Sequence, residues 1–273
     1  MAASLEDIRA HWENWAKSFG TDLRATTRTG TAKALEIDAL ARCIGGIRGT
    51  AGRPLSLLEA GCGNGYNCIA LARAFEDCTF SAFDYVPDMA AAARVLVNEA
   101  GVGDRVTVFE DDVTALAHVT GTFDVILTVR CLINLNTDEL QQAAIARLAG
   151  RVHDGGHLLM IENSRTTHGA QNHARELVGL APRAPAEFNR FLDEDKVRAQ
   201  LADLGFAVET EDFGSLHDIA LYVLGPMMNE GKVDYEHPLV MAATQLSLAM
   251  NQERRNAFGA FGQNRLFICK KST

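Results

Sequence analysis

The 273-residue sequence predicts an α/β fold in which a mostly parallel, seven-stranded sheet carries helices on both faces. Three observations lead to this prediction. Short apolar runs alternate with helical, alanine- and leucine-rich stretches. A glycine-rich turn joins the first apolar run to the first of these helices. Acidic residues directly follow the second and third runs, at the strand ends where open α/β sheets bind ligands.

The individual elements are predicted from their apolar patterns. Apolar runs predict seven strands, at residues 55–58, 79–83, 106–109, 123–129, 155–162, 206–210 and 265–269. Helical patterns predict helices at residues 11–17, 66–75 and 193–204, one that begins at residue 219, and one at residues 238–254.

The glycine-rich turn, residues 61–65, has the spacing G-x-G-x-G. Glycine allows positive φ and a close approach of the backbone to a ligand, and the N–H groups of the following helix are free donors. A dinucleotide site would show G-x-G-x-x-G instead. Glu59, two residues before the first glycine, would repel a pyrophosphate but suits a ligand that carries an ammonium group.

The acidic residues after the next two strands support a nucleoside ligand. Asp84 ends the second strand about 20 residues beyond the glycine turn, where a carboxylate can hold a ribose diol. Tyr85 and Met89 follow and could flank an adenine ring. Asp111 and Asp112 follow shortly after the third strand.

Together, these elements resemble the core of the class I S-adenosylmethionine-dependent methyltransferases over residues 34–163, with Glu59, Gly61, Gly63 and Gly65 as its E-x-G-x-G-x-G motif. The resemblance implies a Rossmann-like fold, S-adenosylmethionine as cofactor and S-adenosylhomocysteine as product. It also implies that Asp111 or Asp112 (the choice stays open) takes the adenine amine while the next backbone N–H meets the ring. The implied cofactor residues are Glu59, Gly61, Gly63, Asn64, Gly65, Asp84, Tyr85, Met89, Asp111, Asp112, Val113 and Val129.

Composition narrows the class of protein. The formal charge of −9 and the pI near 5.4 argue against a nucleic-acid substrate. No apolar stretch is long enough for a membrane span, and the first residues do not resemble a secretory signal, so we expect a cytoplasmic protein. We expect it to be a monomer or a homodimer. Six cysteines without a C-x-x-C pair predict free thiols and no metal site.

Three regions, by this reading, surround the predicted ligand. Residues 1–33 form an N-terminal helical lid, although packing of its two tryptophans on the core is an equal alternative. Residues 34–213 and 264–273 form the Rossmann-like core, within which residues 163–191 are rich in polar side chains. Residues 214–263 form a helical cap over the substrate, inserted between the last two strands.

The candidate catalytic residues follow strand ends. A hydroxyl acceptor needs a base, and histidine is the usual one. His217, shortly after the sixth strand in a predicted turn, is the first choice, with Glu162 and His168 as alternatives. Arg130, directly after the fourth strand, could hold a carboxylate or phosphate.

The predicted function is methyl transfer to a small polar metabolite: a sugar, a nucleotide-sugar or a natural-product intermediate. Residues 130–135 and 215–218 resemble bacterial methyltransferases of surface-glycan or secondary-metabolite pathways. The alternatives are a non-catalytic S-adenosylmethionine-binding regulator and, against the glycine spacing, a nicotinamide-dependent oxidoreductase. The sequence leaves open whether oxygen, nitrogen or carbon accepts the methyl group.

Overall fold

The computed structural model describes residues 3–27 and 29–273. Seven strands form one sheet in the order β3-β2-β1-β4-β5-β7-β6. β7 runs antiparallel to β5 and β6, and the other neighbouring pairs are parallel. The strands are β1 Ser56–Ala60, β2 Thr79–Asp84, β3 Val106–Glu110, β4 Phe123–Val129, β5 Val152–Asn163, β6 Phe206–Glu211 and β7 Asn264–Lys271. The predicted Rossmann-like, mostly parallel seven-stranded sheet is confirmed.

Helices cover both faces of the sheet and extend beyond it. They are α1 Leu5–Phe19, α2 Gly30–Ala51, α3 Tyr66–Ala74, α4 Pro87–Glu99, α5 Asp138–Ala149, α6 Arg165–Leu177, α7 Glu194–Asp203, α8 Ser215–Ile219, α9 Gly225–Met228 and α10 Pro238–Glu253. A π-helical turn, Ala220–Leu224, joins α8 to α9, and single 3₁₀ turns occur at Leu23–Ala25 and Leu132–Asn134.

The central strands are buried on both faces because successive side chains point to opposite sides of the sheet. Leu57 of β1 packs with residues of α2 and α3, whereas its neighbour Leu58 packs with residues of α5 and α7. The same alternation explains why these strands are continuous apolar runs in the sequence. It leaves the carboxyl ends of the strands as the edge where polar side chains can gather.

The beginning of α1 lies earlier than the sequence pattern predicts. Ser4 Oγ accepts a hydrogen bond from the backbone N–H of Asp7 at 3.1 Å, and the Asp7 carboxylate accepts one from the Ser4 N–H at 3.1 Å. This reciprocal cap satisfies N–H groups that the first helical turn would otherwise leave unpaired. It starts the helix at Leu5, and the helix packs against α4.

The insertion, residues 214–263, leaves and rejoins the sheet at one buried carboxylate. Asp212 accepts hydrogen bonds from the N–H groups of Gly214, Phe261 and Gly262, and it pairs with Arg265 of β7 at 3.2 Å. Residues 215–218, predicted as a turn, instead form most of α8, because the chain continues into the apolar helix without a break. The long helix α10 packs against α2.

Two expectations from composition concern the chain as a whole. The structure leaves all six cysteines as free thiols, and burial raises the pKa of each of them, Cys62 well above its usual range. None of the helices in residues 3–27 and 29–273 combines the length and the apolar character that a bilayer-spanning helix requires.

Candidate active site

A large cleft of about 1000 Å³ opens at the carboxyl ends of the central strands. The glycine turn and the ends of β2 and β4 form one side of it. The other walls come from α1, the start of α2, residues 183–191, and two tyrosines of the insertion, Tyr222 and Tyr235. Segments from the whole length of the chain therefore meet at the site that the sequence motifs predict.

The glycine turn is shaped by close contacts that exclude side chains. Gly61 has φ +70°, and a β-carbon there would lie 2.5 Å from Cys131 Sγ. Gly63 has φ +55°, and a β-carbon there would lie 2.4 Å from Thr26 Cγ2. Both line the cleft, whereas Gly65 (φ +86°) lies behind it and packs on α4. The turn thus presents bare backbone to a ligand.

Asp84 lies in the wall of the cleft, as predicted. Its Oδ2 accepts a hydrogen bond from Gly63 N–H at 2.8 Å, and its Oδ1 accepts one from Val86 N–H at 2.9 Å. Burial raises the pKa of Asp84 to about 6, although these backbone donors lower it. Each oxygen keeps a further lone pair, so the carboxylate can accept two hydrogen bonds from a ligand.

Asp111 and Asp112 differ sharply in their contacts. The Asp111 carboxylate accepts hydrogen bonds from four backbone N–H groups, those of residues 112, 117, 118 and 119. Asp112 is exposed at the cleft, and only its Oδ1 is used, by Thr114. Asp111 therefore organises the loop, and Asp112 has an oxygen free for a ligand. Val113, Tyr85, Met89 and Val129 also line the cleft.

Glu59 is buried behind the glycine turn and does not line the cleft. Its Oε1 accepts a hydrogen bond from Asn67 Nδ2 at 2.8 Å, and burial raises its pKa to about 7. Asn67 Oδ1 in turn accepts one from Lys33 Nζ at 3.0 Å. The sequence motif predicts that Glu59 belongs to the cofactor site. The structure places it one step behind the lining, hydrogen-bonded to Asn67 and through it to Lys33, which both line the cleft.

Arg130 lines the cleft, but its charge is already matched. It has φ +52°, and its Nε lies 2.9 Å from Glu36 Oε1. Glu36 is fully buried and also pairs with Lys33 at 2.9 Å. The two cations hold the pKa of Glu36 below its usual range against the effect of burial. Sequence reasoning missed Lys33 and Glu36, since both lie inside a helix with no motif.

Asn64 connects the glycine turn to the N-terminal segment and does not line the cleft itself. Its Nδ2 donates to the carbonyl oxygens of Gly20 at 2.9 Å and Asp22 at 2.8 Å. These bonds place α1 over the cleft, where residues 5–15 supply one wall. Within that wall, His11 stacks between Trp15 and Phe188, with ring centroids 5.4 and 4.2 Å away.

His217 is buried and paired with its neighbour in sequence. Its Nδ1 lies 2.8 Å from Asp218 Oδ1, and its Nε2 has no partner among the described residues. It lines a small void of about 60 Å³ rather than the cleft. Tyr222, Tyr235, Gln263 and Asn264 line both spaces, so the void adjoins the cleft. The Asp218 carboxylate favours the tautomer that leaves a lone pair on Nε2.

Glu162 and His168, predicted as alternative bases, lie outside the cleft lining. Both oxygens of Glu162 are used: they accept from Thr128 Oγ1 and from the N–H groups of residues 131, 132 and 133. Its role is therefore to fold the turn after β4, although burial raises its pKa to about 7. His168 packs edge-on against Phe191, with ring centroids 5.0 Å apart.

The polar stretch after β5 divides into two groups. Gln171, Asn172 and Arg175 bind other parts of the protein, whereas Arg183, Asn189 and the aromatic Phe188 line the cleft. The sequence indicated that this stretch was polar but gave no sign of which side chains turn inward. Phe188 and Tyr222 had no motif that could have identified them.

Comparison with known proteins agrees with this architecture. Residues 57–156 match the family described as a methyltransferase domain. An O-methyltransferase family protein from Burkholderia thailandensis has a similar fold, with a TM-score of 0.56 and 16% identity over 100% of this chain and 64% of its own. The present chain thus spans less than two thirds of that protein.

Two further solved structures are similar in fold along most of their length. The magnesium protoporphyrin IX methyltransferase from Synechocystis PCC 6803, crystallised with S-adenosylhomocysteine, gives a TM-score of 0.54 at 18% identity, over 86% of this chain and 83% of its own. A plantazolicin methyltransferase in complex with the same product gives 0.58 at 14% identity, over 98% and 97%. At such identities the similarity concerns the fold.

Proposed function

We propose that this chain, whose residues 57–156 match a methyltransferase-domain family, is a class I S-adenosylmethionine-dependent methyltransferase that methylates a small, flat, polar molecule held beside the cofactor. One observation carries the proposal. The same cleft, of about 1000 Å³, is lined by the glycine turn and Asp84 and also by aromatic side chains of α1, the loop after α6 and the insertion. A cofactor beside the glycine turn and Asp84, the first end, would leave room for a planar acceptor beside the aromatic side chains, the second end.

The residues at the first end fit S-adenosylmethionine. Asp84 would hold the ribose hydroxyls, because its buried oxygens keep lone pairs that need donors. Asp112, rather than the saturated Asp111, would take the adenine amine. Gly61 and Gly63 leave bare backbone for the amino-acid part, and their neighbours Cys131 and Thr26 already fill the space of any side chain.

When bound, the cofactor supplies a methyl group on a sulfonium, which an acceptor takes by in-line displacement. The protein's share is to orient the acceptor, exclude water and remove a proton where one must leave. Trp12, hydrogen-bonded through Nε1 to Asn134 Oδ1 at 3.2 Å, closes the cleft from the α1 side. We therefore propose that the N-terminal segment is a lid, fastened by Asn64.

For a hydroxyl acceptor, His217 is the proposed base. Its Nε2 is buried and without a partner among the described residues, and the residue lines a void that adjoins the cleft. His168 Nε2 is also buried and without such a partner, but His168 lines neither space. The adjoining void, of about 60 Å³, is large enough to hold water. A proton leaving an acceptor in the cleft can reach Nε2 through such a water. Asp218 then stabilises the imidazolium that forms.

The walls favour a natural-product intermediate over a sugar or nucleotide-sugar. The cleft is lined by His11, Trp12, Trp15, Phe188 and Tyr222. His11 stacks between Trp15 and Phe188, and Arg183 covers one face of Tyr222, so the remaining ring faces and edges are what a planar group can pack on. Two proteins of similar fold are named for a porphyrin and for plantazolicin, which supports this choice. The insertion serves as a cap through Tyr222 and Tyr235. A cytoplasmic monomer or homodimer stays part of the proposal, to be tested by fractionation and light scattering.

Two measurements test the proposed function. Calorimetry should show binding of S-adenosylmethionine and S-adenosylhomocysteine but not of NAD. Turnover of methyl-labelled S-adenosylmethionine with pooled aromatic metabolites should then yield labelled product, and Asp84→Ala should abolish it. Cofactor binding without turnover on any pool would favour the regulator instead.

A further inference from the structure

Arg183 reaches the cleft from the loop that follows α6. Its guanidinium carbon lies 3.4 Å from the centroid of the Tyr222 ring. Its Nη1 donates to Gln171 Oε1 and its Nη2 to Gln263 Oε1, each at 3.2 Å. A guanidinium carries five N–H groups, so three remain for a ligand. The stack on Tyr222 fixes its plane before any ligand arrives.

Arg183 differs from the other cations of the cleft in lacking an acid partner. Arg9 pairs with Glu13 at 2.9 Å, Arg24 with Asp22 at 2.8 Å, and Lys33 and Arg130 share Glu36 at 2.9 Å each. Within residues 3–27 and 29–273, no carboxylate forms an ion pair with Arg183. Its positive charge is therefore uncompensated inside a protein of net charge −9.

Asp218, which Gln171 links to Arg183, has both carboxylate oxygens already engaged. Asp218 Oδ1 contacts His217 Nδ1 at 2.8 Å, and Oδ2 accepts from Gln171 Nε2 at 3.2 Å and from Gln263 N–H at 2.5 Å. Gln171 thus stands between the two charges, with its amide nitrogen on Asp218 and its oxygen on Arg183. A glutamine here orients the guanidinium without cancelling its charge.

A second arginine increases the positive potential at this end. Arg175 is buried and donates only to backbone carbonyl oxygens, those of Ala181 and Tyr222. Burial lowers its pKa, and the charge of Arg183 lowers it further. Burial, and then the charge of Arg183, also lowers the pKa of His168. An anion beside Arg183 would relieve this repulsion.

We infer that Arg183 binds a carboxylate of the methyl acceptor, and that the acceptor is a planar aromatic acid. The inference rests on the proposed function and narrows its substrate class. One uncompensated guanidinium suits a monoanion, and the planar fork of N–H groups matches a carboxylate. The aromatic walls of the same cleft accept the ring, and the carboxylate fixes which end of the molecule faces the cofactor.

The test compares acids with their uncharged amides. Probes are para-hydroxybenzoate, para-coumarate and hydroxynaphthoate, each beside its carboxamide, titrated by calorimetry into protein saturated with S-adenosylhomocysteine. The parent should bind at least one acid about 10- to 100-fold more tightly than its amide, as expected for hydrogen bonds to a charged group. Arg183→Met should remove that preference, and Arg183→Lys should retain part of it.

The matched control is Arg24→Met, which removes a cleft arginine that is already paired, and it should leave the preference unchanged. Equal binding of every acid and its amide, no binding of any acid, or a preference that survives Arg183→Met would each overturn the inference. S-adenosylhomocysteine binding is measured first, in the parent and in each variant. If the parent does not bind S-adenosylhomocysteine, the proposed function is refuted. If the parent and the variants bind it, any change in the preference for acids over amides reports on Arg183 alone.

Discussion

The Cγ2 methyl of Thr26 lies against Gly63, 2.4 Å from the position that a β-carbon on Gly63 would take. A residue of the proposed lid and the central glycine of the cofactor turn therefore occupy complementary space. The contact joins two segments that lie apart in the sequence. It means that a side chain at position 63 is disfavoured by the contact with Thr26 as well as by the positive φ.

Gly63→Ala should weaken S-adenosylhomocysteine binding by about tenfold or more, because the added methyl strains the backbone and displaces Thr26. Calorimetry measures the affinity. Gly101→Ala is the matched control: it has φ +69° but open space around it, so it should cost stability and leave the affinity unchanged. Adding Thr26→Ser to Gly63→Ala should restore part of the binding. Equal loss in Gly101→Ala would refute the steric account.

Cofactor affinity should depend on pH through Asp84. Burial raises the pKa of Asp84 to about 6 in the free protein, and the ionised form is the better acceptor for ribose hydroxyls. Affinity for S-adenosylhomocysteine should thus be full above pH 6 and fall as pH drops through 6, by up to about tenfold per unit. Asp84→Asn should bind weakly at every pH, with a flat profile over pH 5–7.5. An equal slope in that variant would assign the dependence to another group.

Substitution of Asp111 should affect the stability of the fold, whereas substitution of Asp112 should affect recognition of the adenine amine. Asp111→Ala leaves four backbone N–H groups without their acceptor and should lower the free energy of unfolding by about 2–4 kcal/mol. Asp112→Ala should leave stability nearly unchanged. It should instead lose the preference for S-adenosylhomocysteine over S-inosylhomocysteine, which carries an oxygen in place of the adenine amine. If Asp112→Ala keeps that preference, the amine binds elsewhere.

His217 should affect turnover rather than cofactor binding. With a hydroxyl acceptor, His217→Ala should lower kcat by about 10²–10⁴-fold with little change in S-adenosylhomocysteine affinity. Asp218→Asn should also lower kcat, because it no longer holds the productive tautomer. His168→Ala, which removes a histidine outside the cleft, is the control and should keep near-parent kcat. A parent-like rate in His217→Ala would exclude it as base.

The sheet was predictable because strands that are buried on both faces appear in the sequence as continuous apolar runs. The bounds of β4, residues 123–129, were predicted as the structure has them, and the glycine turn and Asp84 were placed by their spacing. Helix starts were less accessible, since Ser4 and Asp7 set the beginning of α1 by a contact outside any apolar pattern.

The chemistry of the site was predictable only in part. Whether a carboxylate is free depends on which donors fold back upon it, and that is a tertiary property. Glu162 accepts four hydrogen bonds and Asp111 accepts four, whereas Asp84 accepts two and Asp112 accepts only from Thr114. For the same reason the sequence singled out Arg130, whose partner Glu36 lies far away along the chain, and gave no priority to Arg183.

The hydrogen bonds that converge on Asp212 have a consequence for how this protein can change the methyl acceptor that it uses. Because the N–H groups of Gly214, Phe261 and Gly262 meet on one carboxylate, residues 214–263 depart from and return to a single point. The length of chain between those ends can change at little thermodynamic cost, about 0.6 kcal/mol for each doubling of a flexible loop. Grafts at this junction leave the pairing of β6 with β7 intact. Selection, natural or in the laboratory, can therefore exchange the acceptor wall while the glycine turn and Asp84 stay as they are.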